Sequence, residues 1–157
     1  RQMCIRDRLR FEGMSVNIPE QTLKKIVVAP CSGVGQTVGT ISRQAAYIVV
    51  DEIMPNETLL LCLPAYVTNV EEDVKMVEEN PDRIIAVDGC GYRCMTKILE
   101  GRGFKPAKTI IVSTIIAEMD LKIDKFKNRA KLGDIENMVV SEVARRVIEA
   151  VKDLGGN

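Results

Sequence analysis

Four short apolar runs constrain this chain more than anything else in it: KKIVVAP (24–30), TLLLCL (58–63), RIIAV (83–87) and KTIIVSTII (108–116). Each is rich in β-branched residues, and none alternates apolar with polar. A strand that is apolar at every position has both faces covered. That is the condition of a parallel sheet with helices on each side. The segments between the runs supply the helices. Residues 34–53 carry Val38, Ile41, Ala45, Ile48, Val49 and Ile53 at helical spacing. A polar-rich helix is expected over 70–79, with Asn69 as its cap, and a short one over 91–101 that ends at a glycine. From Asp134 to about Leu154 a long amphipathic helix is expected, with Ile135, Val139, Val143, Val147, Ala150 and Leu154 as its buried stripe. Residues 117–133 show no assignable period. Pro55-Asn56, Pro64 and Asn80-Pro81 act as breaks. The expectation is an α/β domain: a three-layer αβα sandwich around a mainly parallel four-stranded sheet, Rossmann-like in plan.

The first thirteen residues, RQMCIRDRLRFEG, do not fit this pattern. They show no period, carry four arginines and lack the apolar segment of a secretory signal. They are expected to be a non-native extension, with Met14 as the start and 14–157 as the single domain. Cys4 is set aside with them. The remainder is slightly acidic within a chain of zero formal net charge, so no basic field draws nucleic acid or anionic lipid. The 4% aromatics and the lack of Trp argue further against a base-stacking surface. No apolar run approaches the roughly 18 residues that span a bilayer. The expected partner is a small molecule or another protein, not nucleic acid or membrane, and the expected compartment is the cytoplasm.

The chain has five cysteines and no histidine. The lack of histidine removes Ser-His and Cys-His nucleophilic pairs and every zinc site that needs imidazole. In a reducing compartment the four remaining cysteines read as ligands or redox groups rather than structural disulfides. Cys31 lies just past the first strand, Cys62 at the end of the second and Cys90 just past the third. In a parallel sheet those ends share one edge, where open α/β folds place their sites. Cys94 follows Cys90 by one helical turn and can reach the same point. Cys62, inside LLLCLP, is the one that reads most readily as core, since free cysteine often packs as a small hydrophobe. Four thiolates suit tetrahedral zinc or an iron–sulfur cluster. The competing readings are a thiol-based redox or metal-dependent enzyme, or an iron–sulfur electron carrier, using the same cysteines.

The residues PCSGVGQ around Cys31, LCLPAY around Cys62 and VDGCGYRC around Cys90 and Cys94 resemble the pattern of the DGC domain family, whose name is the Asp88-Gly89-Cys90 motif. The resemblance covers residues 24 onward. It implies a zinc site built from Cys31, Cys62, Cys90 and Cys94, and it implies no reaction.

Other residues at the same edge are candidates for lining or supporting the site. CSGVGQTVG (31–39) resembles a phosphate loop, with Ser32, Gly33 and Gly35 between strand and helix, but it lacks the Gly-Lys-Ser/Thr of a P-loop. Its glycines suit a tight turn and close helix–sheet packing. Asp88 can accept hydrogen bonds from the following turn or act as an outer partner of the cysteines. Gly89 shapes the turn that aims Cys90. Arg93 can offset thiolate charge or hold an anion, and Tyr66 can line a pocket or pack in the core.

Overall fold

The computed structural model describes residues 25–155; the expected extension, Met14 and Cys4 lie outside them. Four strands form one parallel sheet: β1 (Ile26–Pro30), β2 (Thr58–Leu60), β3 (Ile84–Asp88) and β4 (Lys108–Ile111), in the order β2-β1-β3-β4. Six α-helices accompany them: α1 (Thr37–Tyr47), α2 (Leu63–Val67), α3 (Glu71–Glu79), α4 (Cys94–Gly101), α5 (Val112–Glu118) and α6 (Asp134–Gly155). A π-helical segment, Ile48–Ile53, continues α1.

The continuous apolar runs are explained by two separate cores. Ile26, Val28, Ile85 and Val87 face α1, α5 and α6 through Ile41, Ala45, Ile115, Val143 and Val147. The alternate strand residues, Val27, Ala29, Ile84 and Ala86, face α2, α3 and α4 through Leu63, Tyr66, Val77, Met95 and Leu99. Every residue of β1 and β3 is buried. The strands still obey the two-residue period of a pleated sheet; both faces are covered, so the sequence shows no alternation. The three-layer α/β sandwich is as expected.

The chain leaves β1 into α1 on one face and leaves β3 into α4 on the other. These strands are neighbours, so the two loops diverge at their carboxyl ends. This is the topological switch point, the crevice where open α/β sheets bind ligands.

Several boundaries differ from the sequence reading. The fourth run does not stay extended: the strand stops at Ile111, and Val112–Glu118 is helix α5. The second run stops at Leu60, and Pro64 does not end an element but sits in the first turn of α2, where its missing N–H costs nothing. Asn69 is not the cap of α3; Val70 occupies that position, and Asn69 has φ 61°. The helix expected from Gly91 begins only at Cys94. In α6 the stripe is buried at Val139, Val143, Val147 and Ala150, whereas Ile135 faces solvent at 47% exposure.

Candidate functional site

The loop after β1 (31–36) is fastened on three sides. The Cys31 N–H donates to the Val87 carbonyl (2.9 Å) and to Ser42 Oγ (3.0 Å). Ser42 Oγ itself donates to the Val87 carbonyl at 2.6 Å, tying α1 to the end of β3. Arg43 reaches back from α1, its Nη1 donating to the carbonyls of Cys31 (3.3 Å) and Gly33 (3.2 Å). The Gly33 N–H points at Cys31 Sγ, 3.3 Å away. Cys31 is the buried cysteine of the four, at 9% exposure.

Glycine is required where this loop meets α1 and the turn after β3. A Cβ on Gly39 would lie 2.0 Å from the Gly33 carbonyl oxygen, and one on Gly89 would lie 3.2 Å from the backbone of Val38 and Gly39. A Cβ on Gly33 would stand 3.2 Å from Cys31 Sγ. The glycines therefore let the Cys31 loop, the first turn of α1 and the Cys90 turn pack backbone against backbone.

Asp88 is fully buried, and its carboxylate is occupied by α4. Oδ1 accepts the Met95 N–H (2.9 Å), and Oδ2 accepts the Thr96 N–H (3.3 Å) and the Thr96 hydroxyl (2.5 Å). A strand-end carboxylate thus satisfies N–H groups at the start of a helix that has no side-chain cap of its own. Between Asp88 and α4 the chain makes a turn: the Arg93 N–H donates to the Cys90 carbonyl (3.0 Å), and Arg93 is left-handed with φ 52°. Cys90 is therefore not on the helix, and Cys94 is the first helical residue rather than one turn along the same helix face. Arg93 extends toward Glu100 at 4.0 Å, and its Nε is buried without a hydrogen-bond partner among the described residues.

Cys62 is not core. It is exposed at the start of α2, where its N–H donates to Asp73 Oδ1 (2.9 Å). Cys90 is half-buried and Cys94 exposed, and all four cysteines are free thiols. Tyr66 lines neither cleft at this edge; it is 1% exposed in the α2–α4 core, with the Arg102 guanidinium 4.6 Å above its ring. Its hydroxyl has no hydrogen-bond partner among the described residues. Burial pushes its phenol pKa up.

Two clefts open at the carboxyl edge. The first, about 360 Å³, is lined by Ser32, Val34, Arg43, Tyr47 and the stretch Leu60–Pro64, which includes Cys62. The second, about 310 Å³, is lined by Gln36, Val38, Cys90, Gly91, Tyr92, Ser113 and Lys125. The sequence reading missed Gln36, Ser113 and Lys125. Lys125 arrives on the 121–133 segment, which carried no period because its anchors are tertiary. Thr37 N–H donates to the Lys125 carbonyl (2.8 Å), the Thr37 hydroxyl to the carbonyls of Asp124 and Lys127, and the Thr40 hydroxyl to that of Arg129. The hydroxyls of Thr37 and Thr40, buried on the face of α1 that meets this segment, were the signal available in the sequence.

All four thiols lie at the ends of three adjacent parallel strands or at the helix start just beyond, and their chemistry suits zinc or an iron–sulfur cluster. They are not gathered around one point. Among the described residues no group of three or more Cys, Asp or Glu side chains is arranged to hold a metal ion, and Cys62 and Cys90 line different clefts. The donor types fit a metal; their arrangement does not form a finished site. Among the described residues no helix is long and apolar enough to cross a membrane.

No curated protein and no solved structure matches the chain. The pattern of the DGC domain matches residues 27–150, from β1 into the last third of α6 and through all four thiols. The chain belongs to the DGC domain family.

Proposed function

We propose that this chain binds zinc through Cys31, Cys62, Cys90 and Cys94, and that the site is assembled as the metal binds. The observation that carries this reading is the concentration of four free thiols at one sheet edge, on loops from three adjacent strands. Two of those loops, 31–36 and 89–93, lie outside the strands and helices, so bringing the sulfurs together would require anchors such as Arg43 on the Cys31 and Gly33 carbonyls to yield while the strands stay paired. Zinc would be held by thiolate sulfur alone, and its binding would release the thiol protons. The charge of a divalent cation would offset the repulsion among the sulfurs. The test is zinc content after Cys90→Ser and Cys94→Ser, each purified folded. Loss of most of the metal in both supports the reading, and full retention in both rejects it.

A second reading is favoured by one specific observation: Cys62 and Cys90 face separate clefts. On that reading one thiol is a nucleophile or redox group, and the chain is a thiol-based redox or metal-dependent enzyme. A metal-free preparation in which one cysteine reacts with iodoacetamide far faster than the other three supports it. Equal reactivity of the exposed thiols, with Cys31 protected by burial, speaks against it.

A further inference from the structure

We propose that the cleft beside Cys90 binds a small molecule carrying an oxyanion, a carboxylate or a phosphate, with Lys125 as its charge partner. This goes beyond the metal reading and does not depend on it. The cleft lies on the carboxyl side of the sheet next to the switch point, and its volume of about 310 Å³ is at the small end for ligand sites. Its polar lining is one-sided. Gln36 offers an amide, Ser113 a hydroxyl and Lys125 an ammonium, and among the described residues no aspartate or glutamate lines it. Val38 supplies an apolar wall and Tyr92, 72% exposed, an aromatic edge at the mouth.

Lys125 is the cation of its segment that lines this cleft, and it is not engaged as Lys127 and Arg129 are. Lys127 pairs with Asp124 at 3.7 Å, and Arg129 donates to the Gly35 carbonyl at 3.1 Å. The Lys125 ammonium makes no ion pair among the described residues. Its backbone is nonetheless held by the Thr37 N–H at the start of α1. A cation fixed at its backbone, without an ion pair and lining the same cleft as the neutral donors Gln36 and Ser113, suits recognition of an oxyanion. The half-buried Cys90 thiol lies in the same cleft, so a bound ligand sits against sulfur.

The test uses the full chain, with amide shifts followed by NMR while inorganic phosphate and succinate are titrated separately, so that the preferred oxyanion is read directly. The expected result is a saturable shift confined to the amides around Gln36, Gly91, Tyr92, Ser113 and Lys125 with at least one probe. Lys125→Gln, an exposed substitution, should weaken that binding about tenfold, the effect of losing one charged hydrogen bond. Lys127→Gln, on the same segment but outside the cleft, should leave it unchanged. Absence of saturable shifts with both probes overturns the proposal, as does equal weakening by the two substitutions, which would mark diffuse attraction to a basic segment. Zinc content measured on the same samples should not change with Lys125→Gln, so failure here leaves the metal reading standing, and the reverse.

Discussion

Gly39→Ala tests the architecture that carries Cys31. In an isolated helix this change is favourable by about 1 kcal/mol. Here the new Cβ would lie 2.0 Å from the Gly33 carbonyl oxygen and 2.9 Å from its carbonyl carbon. Carbon–oxygen contacts settle nearer ~3.3 Å, and both partners are backbone, so no rotamer change relieves the clash. The Gly33 carbonyl must withdraw by about 1 Å, and it also accepts Arg43 Nη1 at 3.2 Å, a bond that the movement strains. Overpacking costs about 1–3 kcal/mol, and a clash between two backbone groups falls at the upper end, about 3 kcal/mol. Set against the propensity gain, the net loss is about 2 kcal/mol, or about 4–8 °C in Tm for a chain of this size. Gly101→Ala is the control: it lies at the end of α4 with nothing within 4 Å of the added carbon, so its stability should be unchanged or higher by up to about 1 kcal/mol. Urea and thermal unfolding of the two variants and the parent measure both effects. A Gly39→Ala protein as stable as the parent would refute the backbone contact between the Cys31 loop and α1.

Three further substitutions probe the groups around the site and the outer helices. Asp88→Ala removes the acceptor for two N–H groups and a hydroxyl at the start of α4 and should cost about 2–3 kcal/mol in urea unfolding; a loss below about 0.5 kcal/mol would mean that α4 does not rely on this carboxylate. Tyr66→Phe deletes a buried hydroxyl with no partner among the described residues and should leave stability equal or raise it by about 1 kcal/mol, whereas a loss of more than about 1 kcal/mol would reveal a partner for it. Glu142 is held by hydrogen bonds from Arg145 and then Arg146, which lower its carboxyl pKa from the ordinary glutamate range to about 2. Its folded pKa is depressed, so its contribution is present above the unfolded value and is lost as pH falls toward 2. The stability gap between the parent and Glu142→Gln, at most about 1 kcal/mol for a pair this exposed, should therefore be seen at pH 6 and vanish near pH 2. A gap that does not change with pH would contradict the pairing.

The sheet was readable from sequence because buried parallel strands leave an unbroken apolar signature, and KKIVVAP and RIIAV carry it cleanly. The fourth run misled for the same reason. A continuous apolar stretch such as KTIIVSTII does not state its own period, and the change from strand to helix at Val112 is set by packing against α6. Pro64 reads in the sequence as a strand stop, but it lies beyond the end of β2 and opens α2 instead, because a proline fits the first turn of a helix as readily as it ends a strand. At the site, the edge on which the cysteines lie followed from strand ends alone, but the placement of Cys62 and Cys90 in different clefts did not. That placement depends on how the 31–36 loop is pinned by Ser42 and Arg43 and on the left-handed turn at Arg93. Neither is a spacing rule. Lys125 was invisible for a similar reason: what brings it to Cys90 is a hydrogen bond from Thr37, a residue 88 positions earlier.

Metal analysis with an absorption spectrum, on protein purified without oxygen and lacking residues 1–13, tests the central claim most directly. The account predicts a colourless protein with one zinc per chain, lost when Cys90 and Cys94 are replaced by serine. A folded protein free of metal, with all four thiols open to a thiol reagent after denaturation and no zinc uptake beforehand, would contradict it; a brown protein with visible absorption would assign the same cysteines to an iron–sulfur cluster instead.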